Sequence, residues 1–299
     1  MFTPHTDSER EEMLRVIGVS SLEELFEAVP PEHRFPKLDL PPALTEMEVL
    51  SQLEEVSQAN ESTAEMTCFL GAGAYKHYIP AAVDSILRRG EFYTAYTPYQ
   101  PEVSQGTLQA IFEYQTLIAN LTGMDVSNAS HYDGATAVAE AAIMAYHHFR
   151  EKRKKIIVSP AIHPQYRDVL RTYFQGYESV EICGDENLTD PLNYQDELLR
   201  TLDINTALVI VQYPDFFGQI FDFTELANQV HQFGALLAVV VNPITLGLLK
   251  PPGHFGADIA VGEGQPLGIP LSFGGPYLGL YATKKEFVRK IAGRLVGET

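Results

Sequence analysis

Ala207-Leu208-Val209-Ile210-Val211-Gln212, a helical stretch from Phe223 to Phe233, and then Ala235-Leu236-Leu237-Ala238-Val239-Val240-Val241 decide the fold of this chain. The two flanking runs are strand-length and continuously apolar, as strands are when helices cover both faces of a sheet. The segment between them is long enough for a crossover helix, so the two strands are expected to lie parallel. Working outward, the same alternation recurs. Ile156–Val158 reads as a strand, Gln165–Phe174 as a helix, Ser179–Ile182 as a strand and Gln195–Leu202 as a helix. Upstream, Ser104–Asn120 carries Leu108, Ile111, Phe112 and Ile118 on one helical face and is closed by Gly123. A second helix follows the small-residue run Gly134–Ala142. Strand and helix alternating over this length predict an α/β fold with a mostly parallel sheet.

The first sixty residues differ. Thr6-x-x-Glu9, Ser21-x-x-Glu24 and Thr45-x-x-Glu48 have the spacing of a capping box, in which hydroxyl and carboxylate satisfy the free N–H groups of a helix start. The first helix is expected to stop at Gly18 and the second before Pro30-Pro31. The third carries Met47, Leu50, Leu53 and Val56 at helical spacing. These short helices are separated by a proline-punctuated stretch and cannot form a core alone. The sequence therefore divides into a helical N-terminal arm, 1–60, and a large domain, 61–299, against which, or against a partner, the arm must pack.

The formal charge of −18 opposes nucleic-acid binding, since such a surface repels phosphate backbones. The longest apolar run, Ala235–Val241, has the length of a strand and not of a membrane span. The start lacks the basic and apolar regions of a signal peptide, and two cysteines, Cys68 and Cys183, are too few for a disulfide framework. A cytoplasmic location is expected, with no membrane and no nucleic-acid partner.

Nucleotide motifs fail on inspection. Gly71-Ala72-Gly73 has Lys76, and Gly262-Glu263-Gly264 has Leu267, where a dinucleotide fingerprint needs its third glycine. His147 and His148 are adjacent, so on a helix they diverge and cannot chelate one metal; no metal is expected. There is no G-x-S-x-G elbow.

Four stretches fit a different plan. Asp133-Gly134-Ala135-Thr136-Ala137 opens an alanine-rich helix, and Ser159-Pro160-Ala161-Ile162-His163-Pro164 follows a strand. A third strand ends Val239-Val240-Val241-Asn242, and a glycine-rich run extends from Gly262 to Gly279. Together they resemble pyridoxal-phosphate (PLP) enzymes of the aspartate-aminotransferase-like fold. The resemblance implies a phosphate cradle at Gly134, Ala135 and Thr136, where helix N–H groups favour an anion, and a ring-stacking position at His163. A small-residue run of this kind equally suits a tightly packed helix start.

Thr97-Pro98-Tyr99-Gln100-Pro101-Glu102-Val103-Ser104-Gln105-Gly106 narrows the resemblance. With Tyr114-Gln115-Thr116, Thr122-Gly123-Met124-Asp125, His163-Pro164-Gln165, Lys250–Asp258 and Phe273-Gly274-Gly275-Pro276, it is similar to the glycine-decarboxylase P-protein family of the glycine cleavage system. The match runs along the whole chain and is closest to the first subunit of the form in which the two homologous halves are separate chains. The resemblance also implies a C-terminal small domain beyond Gly293–Thr299, so that domain is expected to be missing here.

The family's cofactor-bearing half holds PLP on a lysine, with an aspartate on the pyridine nitrogen. At those positions this chain offers Gln265 and Asn242, and no lysine occurs between Lys155 and Lys250 or between Lys250 and Lys284. No catalytic residue of its own is therefore expected, and the cofactor is expected on a partner subunit. The implied partners are that second P-protein subunit, with two copies of each chain, glycine, and the lipoyl-bearing H-protein, with T-protein and L-protein acting indirectly. Thr97, Tyr99, Gln100 and Glu102 are expected to reach the partner's substrate. The alternative is a scaffold subunit whose degenerate site only stabilises the complex.

Overall fold

The computed structural model describes residues 4–63, 65–184 and 194–298. The chain resolves into two compact units, Met1–Cys68 and Phe69–Thr299.

In the first unit, α1 (Asp7–Ile17) and α2 (Glu46–Gln58) each start with the expected capping box, on Thr6 with Glu9 and on Thr45 with Glu48. Gly18 closes α1 at φ 91°, a left-handed conformation that suits a residue without Cβ. The expected middle helix is instead a single 3-10 turn, Glu23–Phe26, with no side-chain cap. Ser20, not Ser21, reaches Glu24 through both its N–H and its hydroxyl. Neither α1 nor α2 buries a residue.

The second unit begins with the short helices α3 (Ala81–Leu87) and α4 (Gly90–Tyr93), followed by α5 (Gln105–Thr122). The remaining elements are β1 (Val126–Ser127), α6 (Gly134–His148), β2 (Lys155–Val158), α7 (Pro164–Tyr173), β3 (Glu181–Cys183) and α8 (Tyr194–Thr201). They continue with β4 (Thr206–Tyr213), α9 (Thr224–Gln232), β5 (Leu236–Val241), β6 (Ile259–Glu263) and β7 (Gly279–Thr283). The seven strands form one sheet in the order β1-β7-β6-β5-β4-β2-β3. From β6 to β3 every neighbouring pair is parallel; β7 lies antiparallel to β6, and β1 antiparallel to β7.

The continuous apolar runs are explained by two separate cores. Val209, Val211, Leu237, Val239 and Val241 face one core with Leu198, Leu226 and Val230 of α8 and α9. Leu208, Ile210, Leu236, Ala238 and Val240 alternate onto the other, with Val138, Ala141 and Met144 of α6 and Leu170 of α7. Side chains of a strand point alternately to its two faces, so a strand buried on both must be apolar at every position. The alanines of α6 let that helix lie close on the sheet: Ala137, Ala139, Ala141, Ala142 and Ala145 are fully buried.

Candidate functional site

The carboxyl ends of parallel strands in an α/β sheet open a crevice into which loops and helix amino ends converge. Here β4, β5 and β6 end at a cleft of about 230 Å³ lined by Gln212, Asp215, Asn242, Glu263 and Gln265, with His163 and Tyr166 at the start of α7. Gly73 and Tyr75 approach from the segment preceding α3.

His163 is held from several sides. Its N–H donates to Gln212 Oε1 at 2.9 Å, and its Nδ1 accepts from the Gln165 N–H at 3.2 Å. An accepting Nδ1 leaves the proton of the neutral ring on Nε2, which donates to the Ala72 carbonyl at 2.9 Å. The ring stacks on Tyr166, with centroids 5.0 Å apart, and meets the edge of Phe216 at 5.1 Å. Burial raises the Tyr166 phenol well above its usual range, and the nearby Glu263 and Asp133 add to the rise, so it stays protonated.

Two positions of the cleft, Gln265 and Asn242, are neutral where the resemblance places ionic groups. Gln265 is 5% exposed; its amide donates to the Ile269 carbonyl and its N–H to Glu263 Oε1 at 2.9 Å. Asn242 Oδ1 accepts from the Ile244 N–H at 3.1 Å, a local turn bond that consumes its oxygen and supplies no negative charge. Among the described residues no amine lines the cleft. Lys284 is instead bound to Asp258, and Lys250 faces Asp222 and Thr224.

Two N–H groups at the amino end of α6 are already bonded within the chain. The Gly134 N–H donates to Glu263 Oε2 at 3.0 Å, and the Thr136 N–H to Asp133 Oδ1 at 2.7 Å. A Cβ on Gly134 would collide with the Tyr166 hydroxyl, so this approach is close-packed as well as occupied. The residues present therefore do not fit pyridoxal phosphate: among the described residues no amine lines the cleft, Asn242 stands where the resemblance places the ring carboxylate, and the Gly134 and Thr136 N–H groups are bonded to side chains.

Of the positions singled out from sequence, His163, Asn242 and Gln265 line the cleft, and Gly134 adjoins it through Glu263. Thr97, Tyr99, Gln100 and Glu102 do not line it. They lie in a turn before α5, where the Tyr99 N–H donates to the Thr97 carbonyl at 2.8 Å and the Ser104 N–H to the Pro101 carbonyl at 3.2 Å. Tyr99 is 73% exposed beside Tyr96, and Gln100 and Glu102 are exposed too. Pro98 and Pro101 line a separate groove with Phe112, Leu295 and Val296. Glu263, Tyr166, Gln212 and Asp215 were not singled out. The available signal for Glu263 was a lone carboxylate ending an apolar run, two positions before Gln265. Among the described residues no group of three or more His, Cys, Asp or Glu is placed to hold a metal, and no helix is long and apolar enough to cross a membrane.

Comparison with known proteins agrees along the whole chain. The family model for the glycine cleavage system P-protein matches residues 1–299. A probable glycine dehydrogenase (decarboxylating) subunit 1 from Thermomicrobium roseum is 56% identical, and one from Desulforamulus reducens 53%; both alignments cover 100% of this chain. The chain spans 66% of the length of either relative. A crystal structure of glycine decarboxylase (P-protein) of the glycine cleavage system, in inhibitor-bound form, superposes with a TM-score of 0.85 at 45% identity, over 100% of this chain and 66% of that one. The α/β unit thus has the PLP-dependent, aspartate-aminotransferase-like fold, and the chain belongs to the P-protein family of the glycine cleavage system.

Proposed function

We propose that this chain is the first-subunit half of a glycine-decarboxylating enzyme that works only when joined to a second subunit, as two copies of each. In this reading the second subunit holds the pyridoxal phosphate on which glycine loses its carboxylate, and the aminomethyl group passes to the lipoyl arm of an H-protein, whose product T-protein and L-protein process. The observation that carries it is a full-chain sequence match to proteins named subunit 1, combined with a cleft that has Gln265 and Asn242 where an amine and a carboxylate are needed.

This chain's own contribution is the Thr97–Glu102 turn. Glycine offers only its amine and carboxylate for recognition. The hydroxyls of Thr97 and Tyr99 and the amide of Gln100 are neutral donors, able to orient a carboxylate without holding it as strongly as an arginine would. Glu102 is suited to handling a proton at the lipoyl sulfur. The exposure of Tyr99, Gln100 and Glu102 supports this reading.

The test is steady-state glycine turnover in the complex reconstituted with its second subunit and H-protein. Tyr99→Phe is expected to lower turnover by about tenfold or more, the ~1.4 kcal/mol of a lost hydrogen bond to a charged group. Complex stability should remain unchanged. Unaltered turnover in both Tyr99→Phe and Glu102→Gln would leave this chain a scaffold.

A further inference from the structure

The first N–H groups of a helix favour a negative charge, and at α6 that charge belongs to the chain. Glu263 Oε2 accepts from the Gly134 N–H at 3.0 Å, while Oε1 accepts from the Gln265 N–H at 2.9 Å and the Leu278 N–H at 3.2 Å. One carboxylate thus collects main-chain donors from the start of α6, from the turn after β6 and from the residue before β7. Burial raises its carboxyl above the usual range against the pull of these three donors, and Asp133 adds to the rise. Tyr166 closes the approach over Gly134.

We propose that Glu263 is a built-in anion that keeps phosphate-bearing ligands out of this cleft while tying α6, β6 and β7 together. A phosphate entering at α6 would have to displace a group attached to the same chain. That group pays no association entropy and is present at an effective concentration no free ligand matches. The incoming anion would also stand beside two carboxylates, Glu263 and Asp133, in a partly dry site where like charges repel strongly. Loss of the lysine alone would leave an empty phosphate site able to take PLP reversibly; Glu263 removes that possibility. The inference concerns this chain's cleft and holds whichever residues of the chain reach the second subunit's substrate.

The test uses the full chain, with inorganic phosphate and pyridoxal 5′-phosphate as probes and chloride at matched ionic strength as control. Wild type should show no phosphate-specific rise in melting temperature and no displacement of the Gly134 amide resonance. Glu263→Ala, which frees the three donors, should gain saturable phosphate binding. With a millimolar Kd, roughly 10 mM phosphate would raise its melting temperature by about 3 °C. A folded Glu263→Ala protein that responds to neither probe overturns the proposal. So does a wild type that binds either probe with movement of the Gly134 amide. Should the alanine variant fail to fold, Glu263→Gln keeps one acceptor and removes the charge. It should then bind phosphate more tightly than wild type, and equal weakness in the two overturns the proposal. Turnover of the reconstituted complex reads the functional assignment separately, so the two can fail independently.

Discussion

Asp258, 3% exposed at the start of β6, accepts from His231 Nε2 at 2.8 Å, Lys284 Nζ at 2.5 Å and the Leu237 N–H at 2.8 Å. Burial pushes its carboxyl upward, but His231, Lys284 and Leu237 outweigh that and hold it below the usual carboxylate range. A depressed folded pKa contributes stability above the unfolded value near 3.8, and that contribution is lost as pH falls through the folded value. Asp258→Asn should therefore lower unfolding free energy at neutral pH by about 2 kcal/mol or more. Its stability should also be less sensitive to acid than wild type, read by denaturant titration at several pH values. At this scale the sequence was informative where a residue type was missing and silent where one was added. The absence of an amine at Gln265 needs no alignment detail, because no lysine is near. Glu263 looked like one letter of a failed glycine motif, since nothing in a linear sequence reveals that three distant N–H groups converge on it.

Helix α6 shows how an element can be specified by what it lacks. Ala141 is fully buried among the residues joining α6 to the sheet. Ala141→Leu should cost about 1–3 kcal/mol by overpacking, visible as a lower denaturant midpoint with the slope unchanged. Helices α1 and α2 present the opposite case: each is well capped, yet neither buries a residue. Short helices without tertiary packing are marginal in water. A peptide of residues 4–60 should show little helicity by circular dichroism, and deleting those residues should either weaken association with the proposed second subunit or lower the melting temperature of the α/β unit. The alternation of strands and helices from β2 to β5 could be read directly from apolar runs and caps. Strands β6 and β7 could not: Ile259–Glu263 ends in a glycine-flanked carboxylate, and Gly279–Thr283 begins at the end of a glycine-rich run. Both resemble loop until the sheet supplies their partners. The turn at Thr97–Glu102 stands out in the sequence for its polar and aromatic residues, but that it does not line the cleft depends on tertiary placement that no local pattern encodes.

Across the molecule, the cleft retains the architecture of a cofactor site without the groups to hold one. The isolated chain mixed with pyridoxal phosphate should show no visible absorption band that survives dialysis and disappears on borohydride reduction. Such a band at any lysine lining the cleft would contradict the structure, since none lines it. The sheet order has a further consequence, one that concerns time. Strand β1 lies at one edge of the sheet, paired with β7, and the Ser127 hydroxyl bonds the Tyr281 carbonyl 154 positions further along the chain. At ribosomal rates of about 5–20 residues per second, that partner is made roughly 8–30 s later. During that interval α5 is already made and α6 is synthesised, but the strand between them has no neighbour to pair with. A chain emerging in this order can complete its sheet only after β7 has been made and slots in between β1 and β6. Translational pausing before β7 would prolong exposure of the unfinished edge, and chaperone capture during synthesis should be greatest in that window.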